Sequence, residues 1–398
     1  MNVTITPSRL AGSVVPPSSK SEAHRLLIAA ALSQWESQMR LRGRNDDLDA
    51  TIRCLQALGA KIVCEGDRIR ISPMVPQYGK RCDCGESGST LRFLVPVAAA
   101  LRGAVFTGSG RLLERPIKPL LSLLPQHGCQ TLEQGTALEV TGGLSSGVYS
   151  LPGNVSSQFV TGLMFALPLL SGDSEIRLTT PLQSRGYVDM TLRVLREFSI
   201  VVEERENAFL IPGKQRYIAP EGELVPEGDW SGAAFWYAAN ALGGDIKIGG
   251  LTENTAQRDS VIADFAKQLP DYVDMRHIPD LLPVLSVMAC KKTGDTCFIH
   301  AERLRMKESD RLEACRNMIE SLGGSAETTE DSLTVHGKGI LAGGEADGRG
   351  DHRIVMAAAV ASCLCKEKVT ILGAQAASKS YPAFWNDFEQ LGGKIHVL

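Results

Sequence analysis

The residues best suited to chemistry lie in loops that combine Lys or Arg with glycine and serine. The densest is Lys307-Glu308-Ser309-Asp310-Arg311, which sets two carboxylates between cations; on a helix, Lys307 and Arg311 share a face. Four further loops have a related composition: 17–21, 85–92, 351–353 and 378–380. Glycine and serine let backbone N–H groups approach an anion, and the cation completes the site. The loops together predict a binding site for small, multiply charged anions.

The overall composition excludes several classes of function. The chain has 398 residues, of which 43% are hydrophobic, 22% charged and 6% aromatic, and its net charge is −3. A polyanion-binding or RNA-binding protein is therefore disfavoured, and we expect no nucleic-acid partner. No apolar run approaches about 20 residues, and the first residues lack the pattern of a signal peptide. We expect a cytoplasmic protein that does not associate with a membrane.

The ten cysteines show neither a metal-ligand nor a disulfide spacing. The closest pairs are Cys82 with Cys84 and Cys363 with Cys365, which lack the two-residue gap usual in zinc sites. We expect reduced thiols and no metal site.

A weak internal repeat organises the chain into α/β units. Five segments read as a helix end, a small turn residue and then alternating strand residues; their turns are at Gly59, Gly128, Ser199, Gly323 and Gly392. A degenerate sixth copy spans 265–273. Most turns recur at roughly 70 residues. Six strand–helix–strand–helix–strand–strand units would fill the chain, which predicts an α/β fold.

Two segments are candidate hinges. Residues 220–229 are rich in proline, glycine and acid, and residues 13–17 end in two prolines. The first domain is therefore predicted to be discontinuous, with residues 1–16 and 228–398, and the second to span 17–227.

The loops in this order and spacing resemble the enolpyruvyl transferase family, in particular its 5-enolpyruvylshikimate-3-phosphate synthase branch. The resemblance covers essentially the whole chain. Its motifs are Ser19–Arg25, Glu86–Arg92, Leu113–Ile117, Ser156–Phe159, Ser184–Tyr187, Ile278–Asp280, Lys307–Arg311, Asp351–Arg353 and Lys379. It implies two similar domains, each of three βαβαββ units forming an inverted α/β barrel, with the active site in the cleft between the domains.

The resemblance also implies an activity. The family moves the enolpyruvyl group of phosphoenolpyruvate onto the 5-hydroxyl of shikimate 3-phosphate and releases phosphate, a step in aromatic amino-acid synthesis. It implies no metal or other cofactor, a monomer, and the two anions as the small-molecule partners. Such a site needs an excess of Arg and Lys, a proton acceptor near the hydroxyl and a proton donor near C3. Asp280 and Glu308 match the catalytic carboxylates and Lys20 the catalytic lysine. The sequence does not decide which carboxylate accepts the hydroxyl proton and which donates the proton to C3.

The same resemblance supplies two sets of binding residues. The set implied for phosphoenolpyruvate is Lys20, Gly88, Arg115, Gln158, Arg311, Arg353 and Lys379. The set implied for shikimate 3-phosphate is Lys20, Ser21, Arg25, Ser156, Ser157, Gln158, Ser184, Tyr187, Asp280 and Lys307. Gly88 keeps the small residue that leaves room for glyphosate, so the resemblance implies a glyphosate target.

Three positions depart from the family pattern: the Ser18-Ser19 pair, Glu86 in place of a frequent asparagine, and Arg303 in place of another. A sister transferase acts on UDP-N-acetylglucosamine and carries a reactive cysteine before its Arg-Pro segment, whereas residues 107–116 contain none. A P-loop kinase needs glycine directly before its lysine, and Ser19 stands there. An inactive relative of the synthase is the remaining alternative, although every charged residue that the chemistry needs is present.

Overall fold

The computed structural model describes residues 1–398, which divide into two compact units. The continuous unit is Lys20–Pro226, and the split unit joins Met1–Ser19 to Glu227–Leu398. Where the chain crosses between the units, Ser19 N donates to the Glu227 carbonyl at 2.7 Å and Asp229 N to the Pro17 carbonyl at 2.9 Å. No helix is both long and apolar enough to span a membrane.

The first 19 residues contribute two strands, and the continuous unit follows with six helices. The N-terminal strands are β1 (Val3–Thr6) and β2 (Ala11–Val14). The helices of the continuous unit are α1 (Lys20–Leu32), α2 (Asp46–Leu58), α3 (Gly88–Ala100), α4 (Lys118–Leu121), α5 (Ser157–Ala166) and α6 (Arg185–Glu197). Its strands are β3 (Ser37–Arg40), β4 (Lys61–Glu65), β5 (Arg68–Ser72), β6 (Lys80–Asp83), β7 (Gly103–Thr107), β8 (Thr131–Gln134), β9 (Ala137–Thr141), β10 (Val148–Leu151), β11 (Ser174–Leu178), β12 (Glu203–Arg205), β13 (Ala208–Ile211) and β14 (Glu223–Leu224).

The rest of the split unit adds six helices and eight strands. The helices are α7 (Trp230–Ala241), α8 (Ile262–Phe265), α9 (Leu282–Lys291), α10 (Arg311–Ser321), α11 (His352–Ala361) and α12 (Phe384–Gln390). The strands are β15 (Asp245–Ile248), β16 (Tyr272–Asp274), β17 (Thr293–Ile299), β18 (Ala326–Thr328), β19 (Leu333–Lys338), β20 (Gly344–Asp347), β21 (Val369–Leu372) and β22 (Lys394–Val397).

Five four-stranded sheets share one topology, which confirms the predicted α/β repeat. The continuous unit has the strand orders β14-β3-β5-β4, β6-β7-β9-β8 and β10-β11-β13-β12, and the split unit has β16-β17-β19-β18 and β20-β21-β1-β22. In each, the first pair is parallel and the other two pairs are antiparallel. The last sheet contains both ends of the chain, because β1 pairs with β22.

The degenerate sixth copy does not form the predicted hairpin. Its sheet is only the parallel pair β2 and β15. The segment Tyr272–Asp274 instead pairs with β17 as the first strand of the next sheet. Pro270 stands where the other copies have a left-handed turn residue, and the proline ring fixes a negative φ. The five regular turns do have positive φ: Gly59, Gly128, Ser199, Gly323 and Gly392.

Each unit has its own hydrophobic core, and two helices that bear candidate site residues, α3 and α11, are almost wholly buried. Eleven of the thirteen residues of α3 are buried, as are all ten residues of α11. A helix that is apolar on all sides belongs in an interior. The first turns of these helices are therefore the positions where polar residues can appear, and the candidate residues concentrate there.

One local prediction was wrong. Residues 307–310 are not helical: a 3₁₀ helix covers Glu302–Met306 and α10 begins at Arg311. Asp310 is the N-cap, and its side chain accepts a hydrogen bond from Glu313 N at 3.2 Å. A cap residue has non-helical backbone angles, so Lys307 and Arg311 do not share a helix face.

Candidate active site

In the split unit, one arginine binds three carboxylates. Arg311 has a 1% exposed side chain, and its three nitrogens contact Asp280 Oδ1 at 2.7 Å, Glu308 Oε2 at 2.8 Å and Asp351 Oδ2 at 2.9 Å. The guanidinium fork suits this arrangement because it offers donors in several fixed directions. The nearby acids raise the pKa of Arg311 well above its usual value, although burial opposes them. The two predicted catalytic carboxylates are thus held by the same cation.

Asp280 has further cationic neighbours. Arg353 Nη2 lies 3.1 Å from Asp280 Oδ2, and Arg353 N donates to Asp351 Oδ1 at 2.9 Å. Burial tends to raise the pKa of Asp280, but the charges of Arg353, Lys307 and Arg311 outweigh it and hold that pKa well below its usual value. Asp280 is therefore an ionised hydrogen-bond acceptor across the ordinary pH range.

Two other groups of this cluster titrate close to neutrality. Burial lowers the pKa of Lys307 to about 8, against the opposing charge of Asp280. Burial, together with the charge of Asp280, raises the pKa of Asp259 to about 7. Asp259 is 5% exposed and accepts a hydrogen bond from the Ser231 hydroxyl. Perturbed pKa values beside several cations are typical of a functional site.

Lys379 lies beside the same segment that carries Arg353. Its Nζ donates to the Gly350 carbonyl at 2.8 Å, directly before Asp351. Lys379 ends the 3₁₀ helix Ala374–Lys379 that follows β21. The structure thus brings Asp280, Glu308, Arg311 and Arg353 into one cluster. Lys307 interacts electrostatically with it, and Lys379 contacts the segment directly before Asp351.

In the continuous unit, Gly88 lies against two arginines. A Cβ built on it would meet Arg92 Nη1 at 2.5 Å and the Arg115 guanidinium at 3.1 Å. Arg92 is fixed, since it donates to the Pro116 carbonyl at 3.1 and 2.9 Å and to Gln158 Oε1 at 2.9 Å. The absence of a side chain at Gly88 therefore lets both guanidinium groups lie against the backbone, in a position from which a Cβ would displace them.

Lys20 and Arg25 occupy the same end of α1 and have different partners. Lys20 Nζ pairs with Asp47 Oδ2 at 2.8 Å. Arg25 is 2% exposed and donates to the carbonyls of Ser21 and Tyr187, at 2.5 and 2.9 Å. Burial lowers the pKa of Arg25 to about 10, so it remains charged at neutral pH.

The predicted serines lie at helix starts. The Ser156 hydroxyl caps α5 by accepting from Gln158 N at 3.3 Å, and Ser157 is the first residue of that helix. Ser184 precedes α6 with a left-handed φ of 55° and has its carbonyl bonded to Tyr187 N. Backbone N–H groups at a helix start favour anions. These two helix starts are suited to binding a phosphate.

Two residues near this cluster were given no role from the sequence. Asp351 bonds Arg311 and Arg353 N, and its N-cap position was the available signal. Asp259 gave no sequence signal, because its burial and neighbours come from distant segments. Of the departures, Glu86 lies against Gly110, and Arg303 donates to the Arg276 carbonyl at 3.0 Å.

The two sets of residues can bind multiply charged anions and transfer protons. The split unit offers cations with two carboxylates, and the continuous unit offers cations, an amide and helix starts. No group of three or more His, Cys, Asp or Glu side chains is arranged to hold a metal ion.

Comparison with known proteins identifies the family. Residues 5–269 and 261–388 match the family described as EPSP synthase (3-phosphoshikimate 1-carboxyvinyltransferase). The 3-phosphoshikimate 1-carboxyvinyltransferase of Clostridium acetobutylicum is 39% identical over 421 residues, covering 99% of this chain and 98% of that protein. The protein of the same name from Clostridium kluyveri is 41% identical over 418 residues, with the same coverage.

Solved structures agree in fold. EPSP synthase from Acinetobacter baumannii superposes with a TM-score of 0.82 at 23% identity and 100% coverage of both chains. The enolpyruvyl transferase NikO from Streptomyces tendae gives a TM-score of 0.80 at 16% identity, covering 99% of this chain and 98% of that one. Together with the full-length relatives and the shared α/β repeat, these matches show that the chain belongs to the EPSP synthase family.

Proposed function

We propose that this chain catalyses the reaction of its family: it transfers the enolpyruvyl group of phosphoenolpyruvate to the 5-hydroxyl of shikimate 3-phosphate and releases phosphate. The observation that carries the proposal is the buried Arg311, which binds Asp280 and Glu308 at 2.7 and 2.8 Å while Arg353 contacts Asp280. Family membership supplies the reaction, and this cluster supplies the charged groups that it needs.

Phosphoenolpyruvate is assigned to the cationic set. Its carboxylate and phosphate match the guanidinium groups of Arg115, Arg311 and Arg353 and the ammonium groups of two lysines. The full proposed set is Lys20, Gly88, Arg115, Gln158, Arg311, Arg353 and Lys379. Gly88 contributes space, because a Cβ there would displace Arg92 or Arg115.

Shikimate 3-phosphate is assigned to the helix starts and their neighbours. Its phosphate suits the hydroxyls and amides at the start of α5, and its hydroxyls suit Asp280 and Lys307. The full proposed set is Lys20, Ser21, Arg25, Ser156, Ser157, Gln158, Ser184, Tyr187, Asp280 and Lys307. Arg25 also orders this region, since it bonds the carbonyls of Ser21 and Tyr187.

The chemistry requires three proton transfers. The C3 carbon of phosphoenolpyruvate gains a proton, while the attacking hydroxyl bonds to C2 and loses its own proton. The tetrahedral intermediate then loses a proton from C3 and expels phosphate, which restores the enol double bond. Asp280 stays ionised, which suits an acceptor that orients the hydroxyl. Glu308 is then assigned to the proton on C3, with Lys20 assisting from the phosphoenolpyruvate side.

The test is phosphate release from phosphoenolpyruvate with each of two acceptors. We expect release with shikimate 3-phosphate and none with UDP-N-acetylglucosamine. Glu308→Gln should lower kcat by at least about 100-fold, the scale of general acid–base catalysis. Glu313→Gln is the matched control, because Glu313 pairs with Arg316 on the outer side of α10, and its activity should be unchanged.

Either of two outcomes would overturn the proposal. Release with UDP-N-acetylglucosamine alone would assign the sister reaction, and no release with either acceptor would assign a ligand-binding role. We also propose a monomeric cytoplasmic enzyme, as the family resemblance implies. Light scattering of the purified protein would contradict the monomer if it gave a mass near twice 42.9 kDa.

A further inference from the structure

A buried chain of polar side chains joins three helices of the continuous unit. His24 Nδ1 lies 2.7 Å from Thr51 Oγ1, which lies 2.6 Å from Thr90 Oγ1, which lies 2.7 Å from Ser87 Oγ. The first three residues are 0% exposed and Ser87 is 1% exposed. A continuous hydrogen-bonded chain of buried side chains fixes the spacing of the elements that it joins.

The direction of donation along this chain follows from its end. Thr90 Oγ1 also contacts the Asp47 carbonyl at 3.3 Å, and a carbonyl can only accept. The single Thr90 proton is used there or on Ser87, so Thr51 must donate to Thr90. Thr51 then has no proton left for the imidazole, and His24 must donate from Nδ1.

The other ring nitrogen agrees with this assignment. His24 Nε2 is buried and has no hydrogen-bond partner. With the proton on Nδ1, the partnerless atom is a bare nitrogen, and no N–H donor is left buried and unsatisfied. Burial, with the charges of Lys20 and Arg25, lowers the pKa of His24 well below its usual value, so the ring is neutral.

The chain lies one helical turn behind the proposed phosphoenolpyruvate residues. Lys20 and His24 are four residues apart on α1, and Asp47 and Thr51 are four apart on α2. The Lys20–Asp47 ion pair and the His24–Thr51 hydrogen bond are therefore successive contacts between the same two helices. At its other end, the chain terminates on Ser87, the N-cap of α3, directly before Gly88.

We propose that His24 is a positioning residue for phosphoenolpyruvate, whose Nδ1–H donor sets the hydrogen-bond direction of the buried chain and thereby fixes the spacing between Lys20 and Gly88. The inference rests on the proposed function only in naming the substrate that these two residues bind. His24 itself touches no substrate. Gly88 belongs only to the proposed phosphoenolpyruvate set, whereas Lys20 belongs to both sets, so loss of the chain should weaken phosphoenolpyruvate binding more than shikimate 3-phosphate binding.

The decisive variant is Thr51→Val, which keeps the side-chain shape and removes the hydroxyl in the middle of the chain. We expect its KM for phosphoenolpyruvate to rise about tenfold, the scale of one or two lost buried hydrogen bonds. The KM for shikimate 3-phosphate should rise less, because Gly88 is not in its proposed set. Thr51→Ser keeps the hydroxyl, so both KM values should equal those of the unchanged protein. Thr296→Val is the matched control, because Thr296 is 0% exposed and its hydroxyl has no partner.

A measurement on the unchanged protein keeps the inference testable if Thr51→Val fails to fold. Nitrogen-15 NMR of labelled histidine should show His24 as the neutral Nδ1–H tautomer, without titration from about pH 5.5 to 8. An Nε2–H tautomer would overturn the assignment. Equal increases in both KM values, or no increase in either, would overturn the positioning role. Turnover by the unchanged protein separately decides the proposed function.

Discussion

The Nη1 atom of Arg311 lies 2.7 Å from Oδ1 of Asp280, and the two side chains come from the start of α10 and from a 3₁₀ turn about 30 residues earlier. Asp351, at the start of α11, binds the same guanidinium. Three segments of the split unit thus meet on one buried cation. A cation that is paired in this way is costly to unpair, because each carboxylate left behind remains partly or wholly buried.

Arg311→Lys should therefore reduce both stability and activity. An ammonium is a single point and cannot reproduce three directed contacts. We expect the free energy of unfolding in urea to fall by about 3 kcal/mol, the scale of breaking a buried pair. We expect kcat/KM to fall at least about 100-fold, because two proposed catalytic carboxylates lose their position.

The matched control for that change is Arg316→Lys, five residues later on the same helix. Arg316 is 33% exposed and pairs with Glu313 and Glu320 at the surface. It should leave the urea midpoint and the kinetics unchanged. Equal losses in the two variants would mean that the buried cluster has no special role.

Asp259→Asn should stabilise the protein at alkaline pH. The folded-state pKa of Asp259 is raised from 3.8 to about 7, chiefly by burial. The folded state thus binds the proton over a range where the unfolded state has released it. This contribution to stability is fully present below pH 3.8 and is lost as the pH rises through about 7.

The measurement is urea unfolding of both proteins at about pH 5 and pH 8. At pH 8 the variant should be more stable by a few kcal/mol, because each pKa unit corresponds to about 1.4 kcal/mol. At pH 5 the difference should be much smaller. A difference that is the same at both pH values would contradict the raised pKa.

The repeat was predictable because short segments of the sequence determine its elements. A helix end, a positive-φ residue such as Gly59 and an alternating strand are properties of short segments, and the sheets followed them. The wrong helical assignment at Lys307 arose because charge spacing alone cannot locate a helix start. The helix begins at Arg311 because the Asp310 side chain caps it by accepting a hydrogen bond from Glu313 N.

The site was predictable only in part, because its electrostatics depend on tertiary contacts. The motifs named Asp280 and Glu308, but nothing in the sequence placed Asp351 on Arg311 or buried Asp259 near Asp280. The pKa values of these groups arise from neighbours far away in the chain. The binding and catalytic roles of the named residues stay predictions.

Gly88→Ala should weaken phosphoenolpyruvate binding selectively. The new methyl group would lie 2.5 Å from Arg92 Nη1 and 3.1 Å from the Arg115 guanidinium. The 2.5 Å contact forces Arg92 to move, against its bonds to Pro116 and Gln158, and the Arg115 guanidinium must also shift. We expect the KM for phosphoenolpyruvate to rise about tenfold and that for shikimate 3-phosphate to rise less, because Arg115 and Gly88 belong only to the phosphoenolpyruvate set.

Inhibition by glyphosate provides a second readout of the same space. The unchanged protein should be inhibited at a lower glyphosate concentration than the Gly88→Ala variant. Gly249→Ala is the control, since a Cβ there meets only Val15 Cγ2 at an ordinary 3.7 Å. A flat dose response of the unchanged protein at millimolar glyphosate would contradict the expected sensitivity.

Lys307 should set the alkaline limit of activity. Burial lowers its pKa to about 8, so its ammonium charge disappears as the pH rises through that value. An anionic substrate loses a charged partner with it, and kcat/KM for shikimate 3-phosphate should fall above about pH 8. The corresponding fall in kcat should occur at a higher pH, because a bound anionic substrate favours the charged form of Lys307. Lys307→Arg keeps its charge and should move the fall in kcat/KM to higher pH. Lys267→Arg is the control, because Lys267 forms an exposed ion pair with Asp264. This variant should leave the pH profile unchanged. If the Lys307→Arg profile coincided with the original one, another group would be responsible for the limit.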